Sequence, residues 1–126
     1  MTNRPLSPHL GVYKWGPHML VSILHRVTGD GLALVGMVVL VWWLGALAYG
    51  GSAFETFSWA AGTPIGTLVL VGISWAFFNH MCSGVRHFVL DIGAGFELHE
   101  NRRFSVATLT LGILLTAAFW AVRVFL

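Results

Sequence analysis

Apolar residues dominate three long stretches of the chain, and polar residues cluster between them. The stretches lie at about 20–49, 63–90 and 104–125, and charged side chains are nearly absent from their centres. A bilayer span needs about 20 mostly apolar helical residues, because the hydrocarbon core is about 30 Å thick. An isolated strand would leave backbone groups unpaired in lipid, whereas a helix pairs them internally. The pattern therefore predicts an all-α integral membrane protein with three transmembrane helices.

The overall composition supports the same class. Of the 126 residues, 56% are hydrophobic and only 10% are charged, and the mean hydropathy is +0.77. Soluble domains carry about 25% charged residues, so this chain has more apolar surface than a small globule can bury. We expect one membrane-anchor domain over residues 1–126, in which residues 1–16 form a polar N-terminal arm.

The basic residues predict the orientation of the chain in the membrane. Six of the seven lie before or near the start of the first span, or from near the end of the second span to the start of the third: Arg4, Lys14, Arg26, Arg86, Arg102 and Arg103. Positive residues accumulate on the inner side of membranes. The N-terminus is therefore expected in the cytoplasm and the C-terminus in the periplasm. The basic residues form no patch with interleaved aromatic residues, so nucleic acid is not an expected partner.

The second span carries the first cluster of polar residues, in the segment "NHMCSGVRHFVLDIGAGFE". His80, Gly84, His87 and Asp91 follow each other at i, i+4, i+7 and i+11, so they share one helix face. His80 lies about 9 Å deeper along the helix than Arg86, whose side chain resembles a snorkelling anchor. Ionisable residues at membrane depth are functional candidates.

A neutral imidazole at His80 is suited to ligate haem iron, and Gly84 would leave room for the flat macrocycle. The simpler alternative is a histidine that hydrogen-bonds to a neighbouring helix. One helix cannot supply both axial ligands, so a second histidine would come from His25 or from a partner chain. The single cysteine, Cys82, excludes both a C-x-x-C-H haem attachment and an iron–sulfur cluster in this chain.

A second polar cluster precedes the first span. Ser22, His25 and Arg26 are spaced i, i+3 and i+4 and form one patch on a helix. The guanidinium and the hydroxyl are suited to donate hydrogen bonds to carboxylate or carbonyl oxygens. An interfacial anchor is the alternative interpretation. The patch is expected on the same membrane side as the His80 face, which favours a shared site between helices.

The motifs "RPLSPHLGVYKW", "SILHRVTG" and "HMCSGVRHFVLDIG" together resemble a known family. The chain is similar to the cytochrome b membrane-anchor subunits of succinate dehydrogenase, respiratory complex II, in their alphaproteobacterial and mitochondrial branch. The resemblance covers nearly the whole chain, with three spans in the same order.

The resemblance implies a cofactor and the residues around it. One haem b would be shared with a second anchor subunit, and His80 would be the axial ligand to its iron. The second axial histidine would come from that other subunit rather than from His25. His25, Arg26 and His87 would lie near the haem propionates.

The resemblance also implies a substrate site. Ser22 and Arg26 would line the ubiquinone site, which the iron–sulfur subunit and the second anchor subunit complete. Asp91 and Glu97 would supply protons from the inner side. Electrons would reach this quinone from succinate through the flavoprotein and iron–sulfur subunits, so the chain would be an enzyme subunit that is not catalytic alone.

The expected location is the bacterial inner membrane, ahead of a mitochondrial inner membrane, with membrane lipid around the spans. Two alternatives share the architecture. One is the anchor of a quinol:fumarate reductase, and the other is a purely structural anchor without a cofactor. A transporter is disfavoured, because the chain has no internal repeat and no pair of broken helices.

Overall fold

The structure is a computed structural model that describes residues 11–12 and 14–125, so most of the arm predicted at 1–16 lies outside the described residues. The described part of the chain is helical and contains no strand. Its helices are α1 (Pro17–Tyr49), α2 (Gly51–Gly62), α3 (Pro64–Asp91) and α4 (Leu98–Phe125). Helices α1, α3 and α4 are long and apolar enough to cross a membrane, which confirms the all-α class and the three spanning helices.

Local signals explain where α1 and α3 begin. Pro17 and Pro64 each occupy the first turn, where proline has no hydrogen bond to lose. The Thr63 hydroxyl caps α3 by accepting a hydrogen bond of 3.0 Å from the Gly66 backbone N–H. Between α1 and α2 the chain reverses through Gly50, whose φ of +63° is accessible to glycine at little cost.

Helix α2 occupies a segment that the hydropathy pattern leaves as a plain connection. It is 12 residues long, and its Phe57 ring packs edge-on against Trp42 of α1, with 5.1 Å between ring centroids. Exposed aromatic residues Phe54 and Trp59 suit the membrane interface. The connection between the first two spans is therefore a short helix whose exposed aromatic residues are of the kind found at membrane interfaces.

Helix α4 begins at Leu98, six residues before the predicted span at 104. The Asn101 N–H donates to the Glu97 carbonyl at 2.8 Å, which closes the first turn. Glu100 in that turn is favoured by the positive end of the helix dipole. The charged segment between the second and third predicted spans is thus partly helical, and Gly93 and Gly95, with φ of +84° and +77°, make the turn before it.

Helix α1 contains one π-helical turn, Leu32–Gly36, in which the Met37 N–H donates to the Leu32 carbonyl. The segment before this turn packs on α3 and α4, whereas the segment Met37–Tyr49 packs on α2. The helices diverge beyond the turn and leave a gap of about 440 Å³, lined by Leu32, Met37, Leu40, Phe77, Phe78 and Phe119.

The interface between α3 and α4 is the largest, and its buried side chains are mostly small or polar. Gly112 lies against the Asn79 backbone, where an added Cβ would come within 3.1 Å of the Asn79 Cα. Buried hydrophobic side chains in the described residues are limited to Val21 and Ala46. Close packing through small residues is typical of helices in lipid. There, an apolar side chain gains no hydrophobic free energy when it moves from lipid into a helix interface.

Candidate functional site

Helices α1 and α3 bring three histidines together. The His25 ring of α1 stacks on the His80 ring of α3, with centroids 4.2 Å apart and planes at 21°. The His25 ring also contacts the His87 ring, with centroids 4.9 Å apart and planes tilted by 41°. His80 and His87 are seven residues apart and therefore project from one face of α3 toward the same part of α1. The two polar clusters in the sequence form one site.

The orientation of His80 is set by hydrogen bonds to α1. Its Nδ1 lies 3.1 Å from the His25 carbonyl oxygen and 3.4 Å from the Thr28 hydroxyl oxygen. A carbonyl oxygen accepts and never donates, so Nδ1 carries the proton in this arrangement. Nε2 then keeps its lone pair and is the nitrogen free to bind a metal.

Gly29 provides the space for this ring. A Cβ added at Gly29 would lie 2.9 Å from Cε1 and 3.3 Å from Nδ1 of His80. Such distances are shorter than van der Waals contact, so only a residue without a side chain allows α1 to approach the imidazole this closely. Thr28 and Gly29 were not singled out from the sequence. The sequence shows both residues in the motif "SILHRVTG", but it does not show that they contact His80.

The face of α3 that carries His80 is open one turn further along the helix. Gly84 follows His80 by about one turn, and a Cβ added there would meet no atom within 4 Å. An imidazole with an unprotonated Nε2 is the form in which histidine binds haem iron. Among the described residues, no group of three or more His, Cys, Asp or Glu side chains converges to hold a single metal ion. A single imidazole beside a glycine is a donor set compatible with haem iron, whose other equatorial ligands come from the macrocycle.

Ser22 and Arg26 lie on α1 on either side of His25. Ser22 is half-buried and Arg26 is exposed, and the two residues are about 6 Å apart along the helix. The structure leaves the guanidinium accessible to a ligand or to a partner chain. Asp91, at the end of α3, and Glu97, just before α4, are also exposed. Both carboxylates lie at the end of the bundle that carries Ser22.

The sequence pattern indicates that Arg86 is a snorkelling anchor, but the structure differs. Its side chain is buried between α3 and α4 and donates a hydrogen bond from Nη2 to the Asn101 Oδ1. Asn79 and Ser83, at i−7 and i−3 from it, are fully buried on the same face. The sequence contains a signal of this burial, because Asn79, Ser83 and Arg86 repeat at helical intervals on the face next to His80.

The chain is similar to known proteins over nearly its whole length. A sequence profile described as succinate dehydrogenase/fumarate reductase transmembrane subunit matches residues 1–119. The succinate dehydrogenase cytochrome b556 subunit of Paracoccus denitrificans is 36% identical over 113 residues, which cover 90% of this chain and 86% of that protein. The corresponding subunit of Rickettsia felis is 37% identical over 117 residues, with 93% and 90% covered. The mitochondrial cytochrome b560 subunit of Mus musculus is 32% identical over 117 residues, with 90% and 68% covered.

Proposed function

Because this chain belongs to the succinate dehydrogenase/fumarate reductase transmembrane subunit family, we propose that it binds one haem b together with a second anchor subunit and helps to form a site for ubiquinone reduction. In this assembly, electrons from succinate arrive through a flavoprotein subunit and an iron–sulfur subunit. The chain is one domain over residues 1–126, and it serves the enzyme without being catalytic alone.

The observation that carries the proposal is the state of the His80 imidazole. Its Nδ1 is held by the His25 carbonyl at 3.1 Å, which leaves Nε2 as the nitrogen that would hold the haem iron. A neutral imidazole at membrane depth avoids the penalty of a buried charge. When bound, haem b accepts and returns a single electron.

The contact between His25 and His80 supports a second ligand from another subunit. The two axial ligands of a haem lie on opposite sides of the macrocycle. The rings of His25 and His80 stack at 4.2 Å, and neither an iron atom nor a macrocycle fits between them. His25 therefore remains beside the first ligand, where it, Arg26 and His87 bind the propionates.

Ser22 and Arg26 are the residues of this chain that bind ubiquinone. The Ser22 hydroxyl and the Arg26 guanidinium donate hydrogen bonds to the quinone carbonyl oxygens. Donors fixed in advance stabilise negative charge that develops on those oxygens during reduction. Asp91 and Glu97 are exposed at the same end of the bundle and pass protons from the inner side.

The charge pattern supports an orientation with the N-terminus in the cytoplasm and the C-terminus in the periplasm. The chain is then a multi-pass protein of the bacterial inner membrane. Operation as a quinol:fumarate reductase remains the second candidate direction, because the matching family description includes both enzymes. The cited relatives are named for succinate dehydrogenase, which favours succinate oxidation.

The replacement His80→Ala in the intact, co-purified complex tests the proposal. We expect the reduced-minus-oxidised absorption of haem b to disappear, while the four subunits still co-purify. His99→Ala, which removes an exposed histidine at the start of α4, is the control and should leave the spectrum unchanged. A haem spectrum that survives His80→Ala would show that His80 is not the ligand, and a complex without haem in the wild type would favour a purely structural anchor.

A further inference from the structure

We infer that Thr28 and Gly29 are positioning residues for the His80 ligand. Acting through His80 and without contact to the haem, Thr28 sets the haem midpoint potential and Gly29 the haem affinity. The inference rests on the proposed function, since it presupposes that His80 binds the haem iron. It concerns the last two residues of the motif "SILHRVTG", for which neither quinone binding nor propionate binding provides an explanation.

Thr28 is built into the helix contact rather than exposed to lipid. Its side chain is 2% exposed, and its hydroxyl donates to the Leu24 carbonyl at 2.7 Å. That bond directs the proton of the hydroxyl along α1 and leaves an oxygen lone pair toward the His80 Nδ1, at 3.4 Å. The Nδ1–H is therefore shared between the His25 carbonyl, which is the nearer acceptor, and the Thr28 hydroxyl.

The two acceptors affect the metal-binding nitrogen at the opposite side of the ring. An N–H that donates to oxygen acceptors makes the imidazole more basic, which fixes its tautomer and strengthens its bond to a metal. A more basic axial ligand stabilises the more highly charged ferric state, and hydrogen bonding around the ligands is one of the means by which proteins set haem potentials. Thr28 therefore lowers the midpoint potential of the haem.

Gly29 controls the place of the ring rather than its basicity. An added Cβ would approach Cε1 of His80 to 2.9 Å, and the imidazole is the group that has to move. A side chain can swing away at little cost in folding, so the helices still pack. A ligand must keep its direction within narrow limits, however, and the displaced Nε2 no longer points at the iron.

The first test is Thr28→Val in the purified complex, which replaces the hydroxyl by a methyl group of similar shape. We expect the haem midpoint potential to shift upward, and Thr28→Ser, which keeps the oxygen, to restore the wild-type potential. Thr116→Val is the matched control, because Thr116 is also buried and also donates to the carbonyl four residues earlier, but it lies on α4. An unchanged potential in Thr28→Val, or an equal shift in Thr116→Val, would overturn the role of Thr28.

The second test is Gly29→Ala, measured as haem per complex after equilibration with limiting haem. We expect haem affinity to fall roughly tenfold, as for other changes around a metal ligand, while the subunits stay assembled. Gly31→Ala is the control, since a Cβ at Gly31 meets no atom within 4 Å. Normal haem affinity in Gly29→Ala, or a loss of equal size in Gly31→Ala, would overturn the role of Gly29.

His80→Ala separates this inference from the function on which it rests. If His80→Ala keeps the haem spectrum, the proposed ligand is wrong and the inference falls with it. If His80→Ala loses the spectrum while Thr28→Val and Gly29→Ala match the wild type, the ligand stands and only the positioning roles are wrong.

Discussion

His25 illustrates how one residue supplies two separate functions, through its backbone and through its side chain. Its carbonyl oxygen accepts from the His80 Nδ1 at 3.1 Å, and its ring stacks on His80 and contacts His87 in a tilted arrangement. Replacing the side chain leaves the carbonyl in place. A substitution at His25 therefore removes the contacts of its own imidazole but keeps the hydrogen bond that orients His80.

We predict that His25→Ala retains haem b with the spectrum of a six-coordinate iron. The expectation follows because the backbone acceptor persists and because, under the proposed function, the other anchor subunit supplies the second ligand. The measurement is the absorption spectrum and the haem content of the purified complex. Loss of haem to the extent expected for His80→Ala would instead identify the His25 imidazole as an axial ligand.

Arg26 and Ser22 are the residues at which quinone binding is tested. We predict that Arg26→Leu slows quinone reduction roughly tenfold or more, since a hydrogen bond to a charged group contributes about 1.5–3 kcal/mol. Ser22→Ala should have a smaller effect of the same kind, because its donor is neutral. Succinate oxidation with an artificial acceptor should be unchanged in both, as these electrons leave before the quinone.

The control for this pair of variants is Arg123→Leu, the same replacement at the far end of α4. Arg123 lies 4.9 Å from the Trp120 ring and has no place in the site. Equal loss of both activities in Arg26→Leu would indicate a defect of assembly, and equal retention of both would put the quinone elsewhere.

Much of the site follows from the sequence, because helical periodicity determines which residues of one helix share a face. His80 and His87 were grouped in this way, and so were Ser22, His25 and Arg26. Periodicity does not specify the rotation of one helix against another, however. The contacts of Thr28 and Gly29 with His80 depend on that rotation, as does the burial of Arg86 against Asn101.

At the scale of the elements, the bilayer makes the apolar centres of the helices predictable and leaves their ends less so. Hydropathy locates the part of a helix that lies in hydrocarbon, but hydrogen bonding continues a helix into the aqueous layer. Helix α4 begins within the charged segment for this reason. Helix α2 was missed because a 12-residue helix has neither the length nor the uniform hydropathy of a span.

The π-turn at Leu32–Gly36 links the site to the divergence of the helices. A single π-turn adds one residue to the helix and changes the direction of the side chains that follow it. The segment before it presents His25 and Thr28 to α3, and the segment after it turns from the bundle toward α2. Turns of this kind are frequent at functional sites, and here the turn begins three residues after Gly29.

The α3–α4 interface provides a prediction about helix packing. We predict that Gly112→Ala lowers the stability of the solubilised complex by about 1–3 kcal/mol, the usual effect of overpacking. The new Cβ would meet the Asn79 Cα at 3.1 Å and its backbone nitrogen at 3.4 Å, and backbone atoms cannot swing aside. Thermal unfolding measures the effect. Gly72→Ala is the control, because a Cβ at that position of α3 meets no atom within 4 Å.

If Gly112→Ala and Gly72→Ala unfold at the same temperature, the close approach of α3 and α4 does not limit stability. A larger effect of Gly72→Ala would indicate that a partner subunit packs on the exposed face of α3. Both outcomes contradict the prediction, and the second would identify where another chain binds.

At the scale of the whole molecule, the chain is organised for lipid and partner chains rather than for a core of its own. Its described large hydrophobic residues are mostly exposed, while the buried residues include Thr28, Asn79, Ser83 and Arg86. In water such a surface would aggregate. In a membrane it is solvated, and lipid chains or a few side chains of a partner can fill the gap of about 440 Å³ between α1, α3 and α4. The proposed site, to which this chain contributes one haem ligand, agrees with the same organisation.

The orientation of the chain provides the last prediction, and it connects the site to the side on which protons are available. Ser58 on α2 and His99 at the start of α4 are both exposed and lie at opposite ends of the spanning helices. After Cys82→Ser removes the single cysteine, we predict that a membrane-impermeant maleimide labels Ser58→Cys in intact cells, because the connection between the first two spans lacks basic residues. His99→Cys should be labelled only after the membrane is permeabilised and the complex is unfolded. Labelling of His99→Cys in intact cells would reverse the topology and would put Asp91 and Glu97 on the outer side, where they could not take protons from the cytoplasm.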